Sequence, residues 1–105
     1  MEALKIEFTS RNVSSVLASR AELWVEICNV CSFVTEPEHF DNPSKDELIR
    51  HRMFGDINPG VSMEKMGVSI GIPAQYQSCD ISFKYSCANC ENDDKIQTLH
   101  VILKR

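Results

Sequence analysis

No stretch of this sequence is apolar for long enough to cross a bilayer: the longest purely apolar runs, such as Val101, Ile102 and Leu103, are a few residues, against the roughly 18 to 20 that a spanning helix needs. No membrane role is expected. A signal-peptide pattern is also missing, so the five cysteines are expected to be thiols in a reducing, cytoplasmic compartment and not a secreted disulfide framework. An odd count agrees with that. The sequence holds neither H-E-x-x-H nor the H-x-E with downstream P-C-x-x-C of nucleobase deaminases, and G-x-S-x-G and the P-loop are absent. Nothing in it points to an enzyme. Internal repeats and low-complexity tracts are lacking as well.

What is present is enough for a modest core. A chain of 105 residues with 43% hydrophobic content fits one domain spanning 1–105. A domain of this size buries only about two-thirds of its unfolded surface, so a metal clasp would supply a large part of its stability. The formal net charge is −4, and a net-acidic surface repels phosphate backbones unless its basic residues gather on one face. Nucleic acid is therefore a disfavoured partner.

Hydrophobic periodicity places the elements. Leu4, Ile6 and Phe8 alternate with Lys5 and Glu7 as a half-buried strand. Ser10 stands as an N-cap, and Val13, Val16, Leu17 and Trp24 follow at helical spacings, which predicts a helix over 11–22. Residues 23–27 are rich in strand formers and predict a strand running into the first cysteine pair. Ser44 and Glu47 form an S-x-x-E capping box, and a second helix is expected from there to a stop at Gly55, with Leu48, Ile49 and Met53 as its apolar stripe. Val68, Ile70 and Ile72 alternate up to Pro73. Between Cys79 and Cys87 one face reads Cys79, Ile81, Phe83, Tyr85 and Cys87, the other Asp80, Ser82, Lys84 and Ser86, which predicts an antiparallel strand. Leu99, Val101 and Leu103 complete a hairpin tipped by Cys87 and Cys90. The expected class is α+β, a small antiparallel sheet with two short helices.

Two C-x-x-C pairs are the strongest motif in the chain. A two-residue gap lets both sulfurs of a pair reach one ion, and two pairs complete the tetrahedral site zinc prefers. Cys28, Cys31, Cys87 and Cys90 are therefore the expected ligands of one Zn2+. The long structured segment between the pairs resembles the zinc-ribbon and β-tent class, in which knuckles on separate hairpins clasp one zinc. Four thiolates would close the coordination sphere and imply a structural metal. Cys79 shares an apolar strand face and is expected to be a packing residue. His39, His51 and His100 have no ligand spacing to one another and read as surface or packing residues.

The strongest positive grouping is Lys45, Arg50, His51 and Arg52 on the second helix, a candidate partner-binding face. Acid clusters follow both cysteine pairs, at Glu36, Glu38 and Asp41 and at Glu91, Asp93 and Asp94, and make the knuckles unsuited to phosphate. These features favour a non-catalytic, zinc-stabilised protein-interaction module, a small regulator or inhibitor of a larger machine. One alternative is a zinc-ribbon nucleic-acid binder using Arg50, Arg52, Lys104 and Arg105. Another is a thiol-redox protein using one of its C-x-x-C pairs.

Overall fold

The computed structural model describes residues 2–90 and 96–102. Seven strands follow one another: β1 (Glu2–Phe8), β2 (Ala18–Ile27), β3 (Ser32–Phe33), β4 (Ile49–Ile57), β5 (Met66–Ile72), β6 (Ser78–Ser86) and β7 (Ile96–Ile102). They form two antiparallel sheets, one of order β1-β5-β3 and one of order β4-β2-β6-β7. Among the described residues there is no helix. The α+β expectation with two short helices is thus overturned.

Period-two patterning explains the strands. In β2, Ala21, Leu23, Val25 and Ile27 are buried while Glu22, Trp24 and Glu26 point the other way. In β6, Cys79, Ile81 and Phe83 are buried between Asp80 and Ser82, and β5 contributes Met66, Val68, Ile70 and Ile72. These inner faces meet in one continuous core, as the facing layers of a β-sandwich do. Phe8 and Phe83 join the layers edge to face, with ring centroids 5.1 Å apart. Leu23, Val25, Val68, Ile70 and Ile81 are each fully enclosed, and burying one such side chain is worth about 1.5–3 kcal/mol.

Both expected helices fail for the same reason: short polar side chains take up the backbone groups that a helix would use. Asn12 donates through Nδ2 to the carbonyls of Val16 (2.8 Å) and Ile57 (2.9 Å), while its Oδ1 accepts from the backbone and hydroxyl of Ser14. Val13 is 88% exposed, so the helical stripe it begins has no core to face. Further on, Asn42 Nδ2 donates to the Asp46 carbonyl, Ser44 Oγ donates to Asn42 Oδ1, and Asp46 Oδ1 accepts from the Leu48 N–H. The capping box is a polar turn, and from Ile49 the chain pairs with β2. Gly55 does not terminate an element. It lies inside β4 at φ 78°, paired with Ala21 where the β2 register shifts, a β-bulge whose left-handed residue glycine tolerates at low cost.

The edge of β4 is covered at one point. Asp41 and His51 exchange backbone hydrogen bonds, Asp41 N–H to His51 O at 2.8 Å and His51 N–H to Asp41 O at 2.9 Å.

Candidate metal centre

β2 runs antiparallel to β6, with Ile27 opposite Ile81. Cys28, the residue after β2, therefore arrives beside the start of β6, where Cys79 is. The chain then turns through Asn29 and Val30, with the Cys31 N–H donating to the Cys28 carbonyl at 3.0 Å, and enters β3 at Ser32. This turn presents Cys31 to the same spot. Cys28 Sγ lies 2.6 Å from Cys79 Sγ and 2.9 Å from Cys31 Sγ. All three sulfurs fall within 4.8 Å of one another and form a group able to hold a metal ion. Cys31 and Cys79 are buried and Cys28 is half-buried.

No family model matches this sequence, and no curated protein is found to resemble it. The reading of the site therefore rests on its chemistry.

Cys28 touches both other thiols, and that decides where negative charge collects. Burial is the largest single influence on each of the three sulfurs and pushes all of them up. At Cys28 it is outweighed by hydrogen bonds from Cys31, Cys79 and the backbone at Val30 and Asp80, which together bring that thiol below its ordinary value. Cys31 and Cys79 are raised, by burial first and then by their hydrogen bonds to Cys28. Cys28 is thus the first of the three to become a thiolate, and a metal cation binding at the site would displace the protons of the other two.

The sulfur spacing lies between two limits. A disulfide needs about 2.05 Å, whereas thiolates bound tetrahedrally at about 2.3 Å from zinc stand about 3.8 Å apart. Binding an ion requires the sulfurs to open by about 1 Å, and the half-buried Cys28 on its turn is the one with room to move. Among the described residues no fourth cysteine, histidine or carboxylate joins the trio.

The expected four-cysteine set is divided. Cys28 and Cys31 are together, but Cys87 and Cys90 stand at the other end of β6, bonded to each other as a disulfide. Eight residues separate Cys79 from Cys87 along that strand, about 26 Å at about 3.3 Å per residue. Cys79, expected only to pack, is the sulfur that stands beside Cys28 and Cys31. The signal was available: two antiparallel neighbours, one ending at Cys28 and the other beginning near Cys79, must bring those two residues together.

The basic grouping also has a different setting. Lys45 sits in the polar turn at φ 59° and is exposed, while the other three lie on β4. Arg50 is 7% exposed. It donates from Nε and Nη2 to Glu36 at 3.1 and 3.0 Å and from Nη1 to the Ile49 carbonyl at 2.8 Å, with its guanidinium 4.5 Å from the Phe33 ring centroid. His51, 5% exposed, has Nδ1 2.8 Å from Asp41 and Nε2 3.2 Å from Glu22, under the Trp24 ring. Arg52 is half-buried, with its guanidinium 5.3 Å from the Phe54 ring centroid, so of the four only Lys45 is exposed. Without a helix there is no basic helical face.

Of the acidic clusters, Glu36 and Asp41 are taken up by Arg50 and His51, and Glu91, Asp93 and Asp94 lie outside the described residues, as do Leu103, Lys104 and Arg105. His39 is exposed beside Glu38, and His100 meets Asp80 on the outer face of β6 and β7. A cleft of about 390 Å³ is lined by charges of both signs, among them Lys5, Glu7, Arg52, Glu64 and Lys65. That lining favours no one sign of ligand. Among the described residues no helix is long and apolar enough to cross a membrane.

Proposed function

We propose that this chain is a protein-interaction module stabilised by one non-catalytic Zn2+ held on Cys28, Cys31 and Cys79. The observation that carries this is the convergence of three sulfurs from two segments remote in sequence. Thiolates select soft or borderline metals, and zinc suits a site whose stability role needs no redox chemistry. Three protein ligands leave the fourth tetrahedral position open, and a structural role requires that a donor from a bound protein close it. A protein partner is favoured over nucleic acid by the net charge of −4 and by exposed apolar side chains at Val13, Val16 and Leu17.

Elemental analysis of protein purified without chelator tests the metal. One zinc per chain is expected in the wild type and in Cys87→Ser, and none in Cys79→Ser. Zinc retained by Cys79→Ser but lost from Cys87→Ser would instead restore the two-pair ligand set. The 2.6 Å approach of Cys28 to Cys79 favours one other reading, a disulfide between them. Metal-free protein with Cys28 blocked to alkylation and joined to Cys79 by peptide mapping would establish that reading and overturn zinc.

A further inference from the structure

The far end of β6 carries a second sulfur centre. Cys87 and Cys90 close a disulfide across a four-residue turn in which the Cys90 N–H donates to the Cys87 carbonyl at 3.3 Å. The loop is held down by bonds that involve no sulfur. Ala88 N–H donates to the Ser19 carbonyl at 2.7 Å, Asn89 Nδ2 donates to the Leu17 carbonyl at 2.8 Å, and Asn89 Oδ1 accepts from the Ser19 N–H at 2.9 Å. Opening the S–S bond therefore leaves the loop docked on the start of β2. This separates it from a structural disulfide, whose reduction releases the chain it ties.

Access is also arranged. Cys90 is exposed and Cys87 half-buried, and Cys87 borders an open cleft of about 360 Å³ together with Arg20, Met53, Ser86 and Ala88. Met53 is an exposed apolar residue that offers a contact for an apolar side chain. Arg20 and Glu22 place one charge of each sign on the cleft that Cys87 borders. Exposed disulfides are the ones that exchange readily.

We propose that the Cys87–Cys90 disulfide is a thiol–disulfide exchange centre acting on polypeptides that carry a pair of cysteines and bind along the cleft beside Cys87. In the first step a peptide thiolate attacks the exposed Cys90 Sγ. A peptide–Cys90 disulfide forms, the Cys87–Cys90 bond breaks, and the electron pair leaves on Cys87 Sγ. In its protonated form this sulfur, 3.4 Å from Asn89 Oδ1, donates to that oxygen. In the second step the other peptide thiolate attacks the peptide sulfur of the mixed disulfide, closing the peptide's own disulfide and expelling Cys90 as a thiolate. The peptide loses two electrons and two protons, and the loop gains them. The reverse sequence reduces a peptide disulfide. The separation of about 26 Å along β6 keeps Cys28, Cys31 and Cys79 out of the exchange, so the proposal stands apart from the metal reading.

The test uses the full chain in its oxidised form and a synthetic C-x-x-C peptide in its reduced form as probe. Differential alkylation with peptide mapping reads Cys87 and Cys90 separately from the other three. The expected result is loss of the Cys87–Cys90 disulfide mole for mole with formation of the peptide disulfide, with an unchanged near-ultraviolet circular dichroism spectrum. Offered the same peptide in its disulfide form, Cys87→Ser should be trapped as a mixed disulfide when the Cys90 thiolate attacks one peptide sulfur and the other leaves as a thiolate, and Cys90→Ser should trap on the order of tenfold less, because its remaining sulfur is half-buried. A disulfide that stays intact while a free C-x-x-C peptide disulfide exchanges under the same conditions would overturn the proposal. So would loss of the near-ultraviolet signal on reduction, which would make the bond structural, and equal trapping by the two variants would refute attack at Cys90.

Discussion

Arg50 offers a sharp stability test because its guanidinium ties the two layers together beside the metal centre. Arg50→Ala removes a charged hydrogen bond to the Ile49 carbonyl, worth about 1.5–3 kcal/mol, and a contact with the Phe33 ring, worth about 0.5–2 kcal/mol. The bidentate pair with Glu36 adds little, since that carboxylate is 77% exposed and exposed pairs give about 0–1 kcal/mol. These contributions are not additive, and a net loss of about 2–4 kcal/mol is expected. Urea denaturation monitored through Trp24 measures it. Arg52→Ala is the control: Arg52 is half-buried at 5.3 Å from Phe54 and should cost about 1 kcal/mol or less. Phe33 lies two residues beyond Cys31, so the Arg50 change should also weaken metal retention. If about 1.4 kcal/mol of the loss falls on that segment, affinity drops about tenfold, read by competition with a chromogenic chelator. Equal stability of the two variants, within about 0.5 kcal/mol, would refute the claim that Arg50 joins the layers.

Further outcomes follow from the core, the carboxylates and the thiols. Leu23→Ala should cost about 2–5 kcal/mol, because Leu23 is fully buried, whereas Met53→Ala, at an exposed position, should stay within about 0.5 kcal/mol of wild type by thermal melting. Glu22 is held below the ordinary carboxylate value, chiefly by its hydrogen bond to His51. A depressed carboxylate stabilises the fold above its unfolded pKa and stops doing so as pH falls through the folded one. Glu22→Gln should therefore be the less stable protein near neutral pH, with the difference narrowing below about pH 4 in acid-titrated melts. Metal binding must displace protons from Cys31 and Cys79, whose thiols are raised, so zinc affinity should fall steadily as pH is lowered, and a flat profile in chelator competition would argue against thiolate ligation.

Every strand read from alternation is present, because period two survives wherever one face is buried. Leu4, Ile6 and Phe8, then Val68, Ile70 and Ile72, then the run from Cys79 to Ser86 show it. Helical spacing misleads where the stripe has no core to touch. Val13 and Val16 have helical spacing but face outward, and the Ala21 to Ile27 alternation behind them is the pattern that reaches the core. Ser44 and Glu47 match a capping box, yet Asn42 and Asp46 supply a competing set of turn bonds. For the site, the C-x-x-C spacing identified Cys28 and Cys31 as partners but not which distant sulfur completes the group. That is set by strand direction, a property of pairing between segments and not of either segment alone.

The backbone exchange between Asp41 and His51 carries a consequence for assembly. It occupies outward-facing hydrogen-bonding groups of β4, one border of the four-stranded sheet, while β7 forms the opposite border. Polymerisation by sheet extension needs two unblocked borders on every copy, since each added molecule must both dock and be docked upon. Because the bridge covers β4 at His51 alone, it interrupts the row of free groups that a docking strand would need on this border and shortens the run open to pairing, whereas β7 carries no such plug among the described residues.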